Sequence, residues 1–218
     1  MICSLNEIEA ETRKAARGAG LSWGLAEEAG KAARWLEMHG LRSVPFFAAL
    51  FEAYAGRDYT ALAMASTAGC WRARGGMLCP VIAGAGLLDR ADEIAAGRAI
   101  EMADLALPIL LAPFAAAIVK ATGAGIVLEW PGVRFVFTGE GTWCDAERGA
   151  LDAASAPHAT CGKLAGGVRG TPLRPAIVGV PVDEAVWSRL DAFVQRTYVP
   201  ASDESRLKGA GAGVLDTD

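Results

Sequence analysis

The chain has 218 residues, of which 52% are hydrophobic and 21% charged, and its formal net charge is −4. This length is typical of a single domain and is sufficient to bury a core without disulfide or metal staples. The composition excludes the disordered, collagen-like and disulfide-scaffold classes. Because 21 basic residues stand against 25 acidic ones, the charge balance argues against sequence-independent binding of nucleic acid.

Cysteine usage and hydropathy predict a cytoplasmic protein. The five cysteines are odd in number and show no CxxC spacing, which is typical of reduced thiols. The N-terminus lacks the apolar core of a signal peptide. The longest uncharged apolar run, between Asp104 and Lys120, is shorter than the ~18–20 residues of a membrane span. We therefore expect no membrane partner.

The first helices are predicted from capping signals and helical periodicity. Ser4 and Glu7 have the spacing of a capping box, which marks the start of the first helix. A second helix is predicted over 22–39, with Gly40 in the left-handed conformation after its end. The inner face of this second helix is predicted to carry small residues that allow close packing, with one leucine: Ala26, Ala29, Ala33 and Leu36.

Four more helices follow from proline positions and apolar spacing. A third helix is expected over 43–56 with Ser43 as its cap, and a fourth over 79–94. The segment 109–122 predicts a buried helix that is interrupted near Pro113. Asp183 is expected to cap the last clear helix.

A β-hairpin is predicted around the Pro-Gly dipeptide at 131–132. The segments 126–130 and 133–137 alternate on either side of it. Centring the turn there pairs residues whose numbers sum to 263, so that Glu129 lies opposite Arg134 on one face and the bulky apolar residues share the other. A type II Pro-Gly turn matches strand twist poorly, which favours a four-residue loop.

These elements predict an α+β fold, in which an N-terminal helical subdomain packs on a mixed or antiparallel sheet with flanking helices. Further strands are expected over 142–144, 158–164 and 176–180. We expect a single domain with three regions: a helical part over 1–56, a mixed body over 57–200 and a glycine-rich tail over 201–218.

Two blocks of sequence carry a resemblance to a known family. They are SLNEIEAETRKAARGAGLSWGLAEEAGKAARWL near the start and RTYVPASDESRLKGAGAG near the end. Together with the intervening CP, WPG and glycine-rich stretches, they resemble a bacterial family known only as a domain of unknown function, over most of the chain. The resemblance implies a cytosolic bacterial protein of about this length. It implies no activity, cofactor or catalytic residue.

Two residues are candidates for catalysis. Cys79 directly precedes Pro80 and is expected at a helix N-cap, where backbone N–H groups stabilise a thiolate. The alternative is that Cys79 packs as a small buried hydrophobe. His158 follows Pro157 in a predicted loop and is a candidate general base. Cys161 lies three residues later, and on a strand the two side chains would point to opposite faces.

Substrate-binding candidates lie in two polar segments. Arg72 and Arg74 belong to the sequence WRARGG, where two guanidinium groups on flexible backbone would bind a carboxylate or phosphate. The alternative is two exposed arginines in a surface loop. Tyr198, Ser202 and Arg206 belong to a polar cluster near the C-terminus, which would line a pocket or form a solvated helix end.

No metal or cofactor is expected. The chain has only two histidines, His39 and His158, and no HxH or HExxH spacing that would hold zinc. His39 is expected to cap the last carbonyls of its helix. The Gly-Ala repeats near the C-terminus lack the strand and helix that a dinucleotide fingerprint requires.

Two functions are left open by these residues. The first is a cytosolic enzyme acting on a small anionic metabolite, a thiol-dependent hydrolase, lyase or isomerase using Cys79. The alternative is a non-catalytic subunit or small-ligand-binding module of a larger assembly, because no complete catalytic constellation is visible. In either case we expect a homodimer, formed through an alanine-rich helix face.

Overall fold

A layer of helices packs on one face of a six-stranded antiparallel sheet, which confirms the predicted α+β class. The computed structural model describes residues 1–176 and 179–198. The helices are α1 (Leu5–Gly18), α2 (Trp23–Met38), α3 (Val44–Tyr54), α4 (Tyr59–Leu62), α5 (Pro80–Asp89), α6 (Ala91–Ala95), α7 (Ala112–Thr122) and α8 (Glu184–Val194). The strands are β1 (Ile2–Cys3), β2 (Ile100–Ala106), β3 (Ile126–Trp130), β4 (Val133–Thr138), β5 (Gly141–Ala146), β6 (Ser155–Lys163), β7 (Thr171–Leu173) and β8 (Val180–Pro181).

The large sheet has the strand order β2-β6-β3-β4-β5-β7, and β1 pairs separately with β8. Helix α7 contacts β3 and β4, and α2 contacts α5 and α7. Trp35 of α2 also reaches the sheet, where the centroid of its ring lies 6.2 Å from that of Phe137. Helix α8 returns to pack on α1 and α3. The two ends of the described chain therefore meet in the N-terminal helical layer.

The predicted hairpin is confirmed in register and in its faces. Trp130 lies opposite Val133 and Glu129 opposite Arg134, so the paired numbers sum to 263. Glu129 and Arg134 form an ion pair, while Ile126, Leu128, Phe135 and Phe137 are buried on the other face. The expected four-residue loop is wrong, because the strands are joined by two residues. Gly132 has φ +76, which is the conformation that the second central residue of a type II turn requires.

The caps of the first helices are also confirmed, with one exception. Ser4 accepts a hydrogen bond from the backbone N–H of Glu7, whose side chain accepts from the backbone N–H of Ser4. Gly40 has φ +72 after the end of α2. Ser43 makes no side-chain cap on α3. Instead its backbone N–H and its hydroxyl both donate to Glu37 Oε1, at 2.6 Å and 2.8 Å.

Three of the differences from the sequence prediction concern α5, α7 and β2. The helix expected over 79–94 is divided at Arg90 into α5 and α6. The segment near Pro113 begins as a 3-10 helix over 108–111 before α7. Strand β2 was not predicted, because its apolar residues do not alternate. Asp104 has φ +52, and this break allows residues on both sides of it, Met102 and Leu105, to be fully buried.

The core is one hydrophobic cluster that extends from α1 to α8. Close packing inside it explains the glycines of α5, which sequence propensity alone disfavours in a helix. A Cβ atom at Gly84 would lie 2.3 Å from Cδ2 of Phe114, so only glycine allows α5 to approach α7. Within the described ranges, no helix is both long enough and apolar enough to cross a membrane.

Candidate anion-binding cleft

A cleft of about 380 Å³ lies where α1, α2 and the end of α8 meet. We call it the basic cleft; it is lined by Arg13, Lys14 and Arg17 of α1, Trp23 and Glu27 of α2, and Arg196 just after α8. Gly18 allows this meeting of helices, because a Cβ atom there would lie 1.8 Å from the carbonyl oxygen of Phe193. Any larger residue at Gly18 would push α8 away from the end of α1.

Arg17 is held in place on the wall of the basic cleft. Its guanidinium carbon lies 4.5 Å from the centroid of the Trp23 ring, within the range of a cation–π interaction. Its Nη1 donates a hydrogen bond to the carbonyl of Leu21. Its Nε is buried and has no hydrogen-bond partner among the described residues. A buried N–H without a partner is costly.

Arg196 is held in a similar way by a different ring. Its guanidinium carbon lies 4.4 Å from the centroid of the Phe193 ring. Stacking on an aromatic face leaves the N–H edge of a guanidinium available for planar, bidentate contact with a carboxylate or phosphate. Two guanidinium groups of the basic cleft are therefore ordered before any ligand arrives.

The charge of the basic cleft is strongly unbalanced. Among the described residues that line it, the cationic side chains are those of Arg13, Lys14, Arg17 and Arg196, and the one carboxylate is that of Glu27. The carboxylate of Glu11 on the same helix also interacts with Lys14. None of the four forms an ion pair with a carboxylate in the described part of the chain, although nine ion pairs are present elsewhere. A concave surface lined by one sign of charge attracts and concentrates ions of the other sign.

Cys79 occupies the predicted N-cap of α5, but it is only 2% exposed. Its side chain makes no capping hydrogen bond. Burial raises the pKa of the Cys79 thiol to about 11, and the backbone N–H groups of Ile82 and Val81 offset this only in part. The effect of desolvation on the pKa of this thiol thus outweighs the effect of the helix terminus. The environment of Cys79 matches the alternative, a small buried hydrophobe.

Arg72, Arg74 and His158 lie near the β2 edge of the sheet. Arg72 forms an exposed ion pair with Asp104, with 2.8 Å between Nη1 and Oδ2. His158 lies within β6 rather than in a loop, opposite Ala103 and next to this pair in register. Arg74 is exposed in the same segment as Arg72. These residues do not line the basic cleft.

The C-terminal candidates adjoin the basic cleft in sequence. Tyr198 is 56% exposed and directly follows Arg196 and Thr197, which line the cleft. Ser202 and Arg206 lie outside the described residues. The set of predicted site residues is therefore divided between the sheet edge, the core and the end of α8.

The remaining titratable groups do not form a metal centre in the part of the chain described. No group of three or more His, Cys, Asp or Glu residues there is arranged to hold a metal ion. His39 caps α2 as predicted, with its Nδ1 2.8 Å from the carbonyl oxygen of Trp35. Burial lowers the pKa of His39, and the bond to Trp35 opposes this shift. All five cysteines are free thiols.

Sequence reasoning missed the residues of the basic cleft, although one signal was present. Arg13 and Arg17 are spaced i,i+4 on α1 with Lys14 between them, and like charges at this spacing destabilise an isolated helix. Such a cost on one helix face is a reason to look for a ligand. The partners from α2 and α8 carried no comparable signal, because their approach depends on tertiary packing.

Comparison with known families gives a match in the N-terminal part of the chain. A comparison with curated proteins finds no match. A family model matches residues 3–79, a segment that includes the first block quoted above and the cleft residues from Arg13 to Glu27. The second block, near the C-terminus, lies outside the match. The resemblance to an uncharacterised family is thereby confirmed over residues 3–79, which match the family described as "Protein of unknown function (DUF3726)".

Proposed function

We propose that this protein binds a small anionic metabolite in the basic cleft and acts as a ligand-binding module. The observation that carries the proposal is the set of four cationic side chains without an ion-pair partner among the described residues. Two of them, Arg17 and Arg196, are stacked on aromatic rings. Ordered guanidinium groups lose less entropy on binding, which favours affinity.

The size of the basic cleft supports a small ligand. A volume of about 380 Å³ lies at the lower end of the range for ligand pockets, roughly 300–1,000 Å³. Multivalent anions, such as phosphorylated or polycarboxylic metabolites, would place several charged oxygens against several cations. A monovalent anion would neutralise only part of the positive charge and would bind more weakly.

The thiol-enzyme hypothesis has less support than the binding module. A catalytic cysteine must be accessible and substantially ionised, whereas Cys79 is buried and burial raises its pKa to about 11. His158 is exposed and could still act as a base. A hydrolase, lyase or isomerase activity remains a prediction; it would be abandoned if Cys79→Ala and His158→Ala each left turnover of an identified substrate unchanged.

The proposal is tested by isothermal titration of the full chain with pyrophosphate and citrate, with acetate as the monovalent comparison. We expect saturable binding of at least one multivalent anion and weaker binding of acetate. Arg196→Gln should weaken that binding about tenfold or more, since a hydrogen bond to a charged group contributes ~1.5–3 kcal/mol. Arg17→Gln should do the same, with thermal melting as a check on folding because Arg17 also bonds to Leu21.

Arg169→Gln is the matched control, because Arg169 is an exposed arginine outside the basic cleft. It should leave the affinity unchanged. If neither multivalent anion binds, or if Arg196→Gln weakens binding no more than Arg169→Gln does, the proposal is wrong.

A homodimer and a cytoplasmic location belong to the same proposal. The alanine-rich inner face of α2 packs within the chain as predicted, since Ala26, Ala29 and Ala33 are fully buried, and it is therefore not available to a dimer. A dimer would need another surface. Light scattering coupled to size exclusion would measure the molar mass; a value near 22.6 kDa would refute the dimer.

A further inference from the structure

A second cavity, which we call the apolar cavity, lies between α3, the segment before α5 and the end of β2. Its volume is about 310 Å³, and its walls include Leu50, Tyr54, Met77, Leu107 and Ala154, with Arg57 also lining it. Among the described residues, it shares no lining residue with the basic cleft. An inference about this cavity therefore holds whether or not the proposed function is correct.

Local contacts place Arg57 at the apolar cavity. Helix α3 ends at Tyr54, and Gly56 with φ +75 turns the chain so that the backbone N–H of Arg57 donates to the carbonyl of Tyr54 at 3.1 Å. The guanidinium carbon of Arg57 lies 5.7 Å from the centroid of the Tyr54 ring. A Cβ atom at Gly76 would lie 3.2 Å from Nη1 of Arg57, so the absence of a side chain at Gly76 leaves space for the guanidinium group.

Hydrogen bonds join the elements that line the apolar cavity. The hydroxyl of Tyr54 donates to the carbonyl of Met77 at 3.0 Å, which joins α3 to the segment before α5. Leu107 has φ +42, an unusual conformation for a non-glycine residue. Its backbone N–H donates to the carbonyl of Ala154 at 3.0 Å. Backbone strain of this kind is concentrated at ligand sites, and Leu107 lines the apolar cavity.

The chemistry of the walls defines the ligand. Among the described side chains around the apolar cavity, only that of Arg57 is charged. No carboxylate of the described residues forms an ion pair with Arg57. An apolar wall with one oriented cation selects a ligand that has an apolar body and one anionic group. The volume of about 310 Å³ lies at the lower end of the range for ligand pockets, roughly 300–1,000 Å³, which favours a small ligand.

We propose that the apolar cavity binds a small monocarboxylate, aromatic or medium-chain aliphatic, whose carboxylate pairs with Arg57 and whose apolar body contacts Leu50 and Leu107. This ligand class differs from that of the basic cleft, where several charges are matched by several cations. The apolar cavity is thus a separate site on the same chain.

The test uses two probes of nearly equal shape, 3-phenylpropionate and its neutral amide, in isothermal titration against the full chain. We expect the acid to bind saturably and the amide to bind at least tenfold more weakly. Arg57→Gln should weaken acid binding about tenfold or more and remove the preference over the amide. Arg148→Gln, which changes an exposed arginine away from the cavity, should leave both affinities unchanged.

A second variant tests the proposed site by filling part of the cavity. Ala53 lines the apolar cavity from the exposed side of α3, and leucine is a strong helix former, so Ala53→Leu should fold and should block both probes. The proposal is overturned if the acid does not bind, if acid and amide bind equally, or if both Arg57→Gln and Ala53→Leu bind the acid like the original chain. Titration of pyrophosphate as a separate experiment distinguishes failure here from failure of the basic cleft.

Discussion

The reactivity of Cys79 tests directly whether this residue can act as a catalytic thiol. Cys79 is 2% exposed, whereas Cys70 is an exposed thiol in the same chain. Alkylation with N-ethylmaleimide at pH 7.5 compares the two under native conditions. The attacking species is the thiolate, so the rate depends on both ionisation and access.

The ionisation factor follows from the shift in pKa. Burial raises the pKa of the Cys79 thiol from an ordinary 9.0 to about 11, which lowers its thiolate fraction at pH 7.5 about a hundredfold, since each pKa unit is tenfold. Access lowers the rate further, because a reagent reaches a buried thiol only when the structure opens locally. We therefore expect Cys79 to react more than a hundred times more slowly than an exposed, ordinary thiol.

Mass spectrometry of digested samples measures labelling at each cysteine over time. Cys70 should be labelled first, and Cys3, Cys79, Cys144 and Cys161, all buried, should follow only when urea unfolds the chain. In a Cys70→Ala variant, native labelling should nearly disappear. Labelling of Cys79 within tenfold of the rate of Cys70 would refute this reasoning and restore Cys79 as a candidate nucleophile.

Two stability predictions follow from packing and from titration. Gly84→Ala should lower the free energy of unfolding by about 2 kcal/mol in urea melts, because overpacking against Phe114 costs up to ~3 kcal/mol and the better helix propensity of alanine returns ~1 kcal/mol. Gly24→Ala is the control and should not destabilise the chain, because a Cβ atom at Gly24 has no neighbour within 4 Å. Equal losses of stability in the two variants would contradict the packing argument. Burial raises the pKa of Glu11 above its ordinary 4.5, the charge of Lys14 opposes this shift, and the neighbouring carboxylate of Asp191 adds to it. The folded state therefore holds this proton more tightly, and stability falls as pH rises from the ordinary pKa through the raised pKa. Glu11→Gln should therefore stabilise the chain at pH 7.5 and have little effect below pH 4.5; a loss of stability at pH 7.5 would count against this assignment.

The elements predicted correctly depend on residues close together in the chain. The capping box of Ser4 and Glu7 and the register of the hairpin at 131–132 both follow from local geometry. Strand β2 was missed because the left-handed conformation of Asp104 removes the alternation on which strand prediction relies. The division of the 79–94 helix at Arg90 likewise carried no clear local signal.

The candidate sites depended on contacts that no local pattern encodes. The approach of α8 to α1 at Gly18 brings Arg196 to the same cleft as Arg17, far apart in sequence. The burial of Cys79 likewise depends on what packs around the start of α5. A helix N-terminus would lower the pKa of that thiol, and the surrounding core raises it instead.

The fold class, most helix ends and the hairpin follow from the sequence alone, because they depend on short-range preferences and on patterns of apolar residues. The match of residues 3–79 to an uncharacterised family is likewise found from the sequence. Only the tertiary structure decided which cations face one cleft, which thiols are buried and where an apolar cavity meets Arg57. The physical reason is that charge fields and desolvation depend on neighbours in space. Those neighbours come from helices and strands that are distant in the chain.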